Sequence, residues 1–196
     1  MSPDDLTPYL GGAEIPADYD AQGAIDAAVA ELEALTGRSP FLSTGSESET
    51  AFDPPSGASG RWILDLPGYT AISSIAWGSD TETVWYTLPG QSRPIDAVEF
   101  RYGGVTDMRS VVVTGVRGSY AAYPADVRAA ILKRAAASII ETSIGVQGAV
   151  RKRDIGDRSI EYAVSQADGA ISNLATTYRR DFLATVSRYR RIPRNG

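Results

Sequence analysis

The hydrophobic period of this 196-residue chain changes part-way along, and that change leaves few folds open. From Arg61 the period is two, the mark of strands with one buried face. Trp62, Leu64 and Leu66 alternate in RWILDL, followed by Ile72, Ile75 and Trp77 in AISSIAWG. Val84, Tyr86 and Leu88 recur in TVWYTL, and Val98, Phe100 and Tyr102 in VEFRY. Ser110–Val116, SVVVTGV, adds a β-branched run. Five short strands parted by Pro, Gly and Asp turns, with Pro67-Gly68 as the first turn, predict a compact antiparallel sheet folded as a small sandwich or barrel. All three tryptophans fall in this region, as a core under a small sheet would require.

On either side of the strands the period is helical. Asp18 or Asp20 can cap a helix whose stripe is Ile25, Ala28, Val29, Leu32 and Leu35 and which Gly37 stops. After the strands comes the pivot of the chain, Gly115–Ser143 (GVRGSYAAYPADVRAAILKRAAASIIETS). Gly118 and Tyr120 break the last strand. Pro124 stands where the first turn of a helix tolerates it, and Asp126 puts a negative charge beside the helix N-terminus. Val127, Ile131, Ala135 and Ile139 carry the stripe to about Ile144. The alanines at 129, 130, 135, 136 and 137 allow close helix approach, within the subunit or against a neighbour. Residues 149–164 predict a hairpin around Gly156-Asp157. A last helix follows Asp168-Gly169, with Ile171, Leu174, Tyr178, Phe182, Val186 and Tyr189 on one face, and ends in the basic RYRRIPRNG.

The expected fold is therefore α+β: a small helical bundle (residues 20–37, 124–144 and 169–190) plus a β-hairpin, with an inserted antiparallel β-domain. Residues 1–17, with three prolines and two glycines, are expected as an extended arm. The helical core is 18–42 with 117–196, and 43–116 is an acidic loop (43–60) and the β-insert.

Composition removes several kinds of chemistry. Cysteine and histidine are both absent, which excludes disulfides, thiolate zinc sites, a cysteine nucleophile and a Ser-His-Asp triad. No apolar run reaches the roughly 20 residues of a membrane span, and MSPDDLTPYL has acids where a signal peptide needs bases. No phosphate-cradling glycine pattern occurs. Asp18 with Asp20, or Asp154 with Asp157, could hold a divalent ion, but caps and turns explain both pairs. No catalytic residue, cofactor or metal is expected.

The net charge of −5 hides a division. Residues 1–116 carry 5 Arg against 17 acids; residues 117–196 carry 14 basic residues against 7 acids. Such asymmetry gives two surfaces with different partners, or self-association of opposite faces, unless it is simply a set of solvated faces. The basic clusters are Arg151, Lys152 and Arg153 at the hairpin foot, and Arg188, Arg190, Arg191 and Arg194 at the end. Nucleic-acid binding is one reading. A basic tail docked on an acidic protein partner is favoured over it, because the total charge opposes free DNA binding.

Several fragments, in order, resemble one family. They are Thr36-Gly37-Arg38 with Phe41, the strand-turn ILDLPG at Ile63–Gly68 with AISSI, the pivot VTGVRGSYAAYPADVRAAIL, the loop IGDRSIEY at Ile155–Tyr162, and the terminal Tyr-Arg-Arg. Together they are similar to the head-to-tail connector (adaptor or head-completion) proteins of tailed bacteriophages and gene transfer particles. The resemblance implies a structural virion protein at the head–tail junction, made in the bacterial host cytoplasm. It would form a homo-oligomeric ring, typically of twelve copies, that extends the DNA channel. Its implied partners are the portal protein, a stopper or tail-completion protein, further copies of itself, and double-stranded DNA passing without specific binding; no membrane is involved. Arg188, Tyr189, Arg190, Arg191 and Arg194 would then be candidates for docking the portal, with the tail dispensable for folding. Arg151, Lys152, Arg153, Asp154, Asp157 and Arg158 would form a hairpin at the subunit interface or channel. The alternative is a DNA-binding assembly factor that uses the C-terminal arginines.

Overall fold

Pro124 fixes the start of the longest apolar helix in a computed structural model of the chain, which describes residues 1–53, 62–77, 80–82, 85–88, 94–100, 110–147, 152–155, 158–161 and 166–191. The fold is α+β, and its elements divide between two units: Met1–Leu32 with Pro124–Tyr189, and Glu33–Tyr123 with Arg190–Gly196.

Helix α1 (Ala21–Thr36), whose residues up to Leu32 belong to the first unit, begins where Asp20 Oδ1 accepts the Gly23 amide at 2.8 Å. That is a helix N-cap, so the cap reading of Asp20 holds. Ala21, Ile25, Ala28 and Leu32 are buried at the spacing of one helical stripe. Helix α2 (Ala125–Gln147) is buried on most sides, and Val127, Ile131, Ala135, Ala136, Ala137, Ile139 and Ile140 are each 1% exposed or less. It packs against α3 (Gln166–Tyr189), where Ala137 and Ile140 meet Ala175 with Leu174 and Tyr178 around them. The alanines thus serve close packing inside the subunit. Asp168 and Gly169 lie within α3, so this helix starts earlier than the glycine implied.

The N-terminal arm is folded, not extended. Pro3–Tyr9 form a 3-10 helix packed on α2, and Ser2 N–H donates to Asp5 Oδ2 at 2.9 Å. Leu6 and Leu10 are buried, which stabilises the segment by about 2 kcal/mol for each leucine. Tyr9 meets the Tyr178 ring edge-on at 6.3 Å. Gly11, at φ 61°, lies so close to Leu174 that a Cβ would come within 2.7 Å of its Cδ2. Two leucines in a proline-bracketed run too short for a period gave the sequence no helical signal.

The second unit holds a sheet in the order β1-β6-β2-β5-β4, with β3 beside β2; all the pairings are antiparallel. The strands are β1 (Glu47–Phe52), β2 (Trp62–Trp77), β3 (Asp80–Glu82), β4 (Trp85–Leu88), β5 (Ile95–Phe100) and β6 (Val111–Arg117). Two expectations are corrected here. Pro67-Gly68 is no hairpin turn: β2 runs through it as one strand of 16 residues, its register against β5 shifting between Asp65 and Tyr69. The first half of β2 pairs with β5 and the second with β6, a change of partner that a bulge makes possible. Residues 47–52, expected in a loop, form the edge strand β1 on β6. Among the described residues β4 and β1 do not pair, so the path stays open rather than closing as a barrel. The core is Leu64, Leu66, Tyr69 and Ile75 of β2, Val98 and Phe100 of β5, and Val111 and Val113 of β6. Trp85 packs against it.

A second ribbon pairs β7 (Lys152–Ile155) with β8 (Arg158–Glu161), with Ile155 opposite Arg158 as a two-residue connection requires.

Candidate functional site

Four of the fragments that carry the family resemblance converge on one joint in the second unit. Helix α1 ends with Gly37 at φ 68°, and the Arg38 amide donates to the Glu33 carbonyl at 3.1 Å, a left-handed stop that glycine makes cheap. The turn aims Arg38 inward, where its guanidinium grips both oxygens of Asp96, with Nη2 2.8 Å from Oδ2. Arg38 Nη1 also reaches Ser119 Oγ at 3.2 Å. The Arg38 and Asp96 side chains are only 7% and 17% exposed, so this pair is nearly dry.

Phe41 anchors the same joint. It is fully buried and stacks on Tyr120 at 4.9 Å and Tyr123 at 5.8 Å. Its carbonyl accepts the amides of Ser119 and Tyr120 at 3.0 and 3.1 Å, while its own amide donates to Glu33 Oε1 at 2.8 Å. Gly118, at φ 107°, crosses Leu42 so closely that a Cβ would sit 2.2 Å from the Leu42 carbonyl oxygen. The Gly118 amide donates to the Gly68 carbonyl at 3.1 Å. The motifs Thr36-Gly37-Arg38, Phe41, Pro67-Gly68 and Gly118-Ser119-Tyr120 are thus one piece of architecture: the joint at which the chain leaves and re-enters the sheet.

The C-terminal candidates are not a free tail. Tyr189 Oη donates to Asp126 Oδ1 at 2.8 Å, and Arg188 Nη1 lies 3.4 Å from Asp126 Oδ2. Asp126, at the first turn of α2, therefore collects the end of α3. In the second unit the Arg191 amide donates to the Thr36 carbonyl at 2.8 Å, satisfying an end carbonyl of α1, and its guanidinium lies 3.5 Å from Asp65. Removing this segment would take one partner each from Asp126, Asp65 and the Thr36 carbonyl, so the end of the chain contributes to the stability of the fold. Arg190 is exposed, the Arg188 side chain is 63% exposed, and Arg194 lies outside the described residues. Of the hairpin set, Lys152, Arg153 and Asp154 lie on β7 and Arg158 on β8, with Lys152 opposite Glu161; Arg151 and Asp157 lie outside the described residues.

Ion pairs absorb much of the cationic excess of the C-terminal half. Arg128 pairs with Asp5 at 2.9 Å, Lys133 with Asp181 at 2.7 Å, Arg134 with Glu31 at 2.8 Å, and Arg179 with Glu141. The Lys133 hydrogen bond holds the Asp181 carboxyl below its ordinary value. Asp5 is lowered as well, first by the Ser2 amide and then by Arg128. Among the described residues no three acidic side chains gather as a metal ion would need, and no helix is long and apolar enough to cross a membrane. Sequence reasoning missed the Arg38–Asp96 pair, whose partners lie 58 residues apart, and the exposed Leu183 of α3, which is offset from its apolar stripe.

The fold is similar to that of a chain in the structure of the neck of an empty gene transfer agent particle, computed with C6 symmetry. The TM-score is 0.50 at 17% sequence identity, covering all of this chain and 92% of the other. At that identity the likeness is one of fold. No protein-family model matches the sequence, and no curated protein matches it.

Proposed function

We propose that this protein is a structural subunit of the neck of a tailed-phage-like particle, an adaptor that forms a homo-oligomeric ring between the portal and the stopper or tail. The observation that carries the reading is fold similarity along the whole chain to a protein from a gene transfer agent neck. A particle neck computed with sixfold symmetry is compatible with rings of six or twelve copies, and twelve is the number the family resemblance implies. The role asks for binding and no turnover, in keeping with a motif set whose polar groups are engaged in holding a joint together.

Within this reading, Tyr189 and Arg191 anchor the end of α3, while exposed Arg188 and Arg190, with Arg194, dock the portal. The hairpin of Arg151, Lys152, Arg153, Asp154, Asp157 and Arg158 serves the subunit interface or the channel. Duplex DNA passes through without specific binding. The DNA-binding alternative is disfavoured because Arg179 and Arg191 already face carboxylates of their own subunit.

The test is sedimentation and electron microscopy of the full-length protein, alone and with the portal protein of the same particle. A ring that caps the portal is expected. A protein that stays monomeric in both settings, or binds duplex DNA tightly at physiological salt, would overturn the proposal.

A further inference from the structure

We infer that the outward face of α3 binds the outward face of α1 on a second copy of this chain, so that copies join through two different surfaces. The inference rests on the ring-forming reading above and names the contact that such a ring requires.

Helix α3 turns Ala175 and Tyr178 toward α2. On its other side Thr176, Arg180, Leu183 and Ser187 recur at three- and four-residue spacing, and all four are exposed. Leu183, at 51%, is the most exposed large apolar side chain among the described residues. Arg180 stands beside it without an ion pair among the described residues, and Arg179, also 51% exposed, is adjacent. An apolar knob flanked by arginine is a buried anchor in waiting, with steering charge at its rim.

The first unit offers a matching surface on α1. Ala27 and Ala30 are exposed one turn apart, and their small side chains let a leucine approach the helix closely. Asp26 adjoins Ala27, oriented by Gln22 Nε2 at 2.8 Å and in no ion pair among the described residues. Glu14 and Asp18, in the segment that leads into α1, are also exposed and in no ion pair among the described residues. Leu183 therefore meets Ala27 and Ala30 while Arg180 meets Asp26. Contacts of α3 with its own copy would set Arg180 against arginines, and contacts of α1 with its own copy would set acids together; both are repelled.

The two faces lie on different sides of α2. The region of α3 meets Lys133, Ala137 and Ile140, whereas the region of α1 meets Arg134 through Glu31 and Ser138 through Tyr19. A patch that binds a different patch on the next copy is a heterologous contact, which closes into a ring if its rotation permits.

The chain contains no cysteine, so a single introduced thiol has no background. Full-length A27C and L183C are mixed under assembly conditions and treated with a short bismaleimide. The mixed A27C–L183C product is expected to exceed either homodimer by about tenfold, and the double variant to give a ladder of linked multimers. L183D and D26R should each weaken assembly by about tenfold or more with unchanged circular dichroism and thermal midpoint, and the swap R180D/D26R should recover it. Homodimers in excess, or wild-type ring assembly without the mixed product, would overturn the α3–α1 contact and leave the ring role standing. A wild-type chain that never assembles, alone or with the portal, would overturn both.

Discussion

Arg38 and Asp96 face one another across the joint of the second unit in a forked ion pair nearly closed to water, with Ser119 on the guanidinium's flank. A pair this dry has given up most of its hydration, so either partner left alone is a buried, unmatched charge. Arg38→Ala and Asp96→Ala are each expected to destabilise the protein by about 3 kcal/mol, while the double change to Met and Leu should recover much of that loss. Urea denaturation reads this directly. Single-variant losses under about 1 kcal/mol would show the pair to be dispensable.

Gly118 and Gly12 separate backbone strain from crowding. Both have positive φ, at 107° and 90°, but a Cβ on Gly118 would strike the Leu42 backbone, whereas nothing lies within 4 Å of one on Gly12. Gly12→Ala should cost about 1 kcal/mol, from conformation alone. Gly118→Ala adds displacement of the neighbouring chain and should cost about 3 kcal/mol or more. Equal losses in thermal unfolding would mean that the Leu42 crossing can give way.

Truncation after Ser187 removes Tyr189 from Asp126 and Arg191 from Asp65 and Thr36. A loss of about 2 kcal/mol or more is expected, because hydrogen bonds to charged groups are among the stronger ones. Arg190→Ala, at an exposed position, should leave stability within about 0.5 kcal/mol and yet weaken portal attachment in a pull-down. A truncated chain of native stability, or an R190A protein that binds the portal normally, would contradict the division between anchor and docking residues.

Acid should loosen the first unit. The carboxyls of Asp5 and Asp181 are held below their ordinary value of 3.8. The stability they lend is fully present above that value and is lost as pH falls through their lower native values. Asp181→Asn removes one such contribution, so its thermal midpoint should fall less steeply than that of wild type below about pH 4. At neutral pH the cost of that change should be small, about 0.5 kcal/mol, since both partners in the pair are partly solvated. Parallel acid profiles would remove Asp181 from this role.

Helix α1 and strand β6 were legible because each buries one regular face. Ile25, Ala28 and Leu32, or Val111 and Val113, announce their element through spacing alone. The same logic misjudged Pro67-Gly68. Alternation on both sides of a Pro-Gly pair fits a hairpin and a bulged strand equally, and only the non-local partners β5 and β6 decide. Strand β1 escaped because it is an edge: Glu47, Ser48 and Glu49 are all exposed, so no buried face wrote a period into the sequence. Acids on such an edge also discourage strand addition by another chain. The joint around Arg38 was visible as motif fragments, but their convergence depends on contacts between residues far apart in sequence.

The first unit is assembled from two separated stretches of chain, Met1–Leu32 and Pro124–Tyr189. During synthesis α1 therefore leaves the ribosome well before α2 and α3 exist, and residues 33–123 must be made in between. At ordinary elongation rates that interval lasts on the order of ten seconds, far longer than a helix takes to form or fray. Throughout it the stripe of Ile25, Ala28 and Leu32 lacks α2 and α3, the later-made part of its own unit, and apolar surface exposed at this stage of translation favours aggregation.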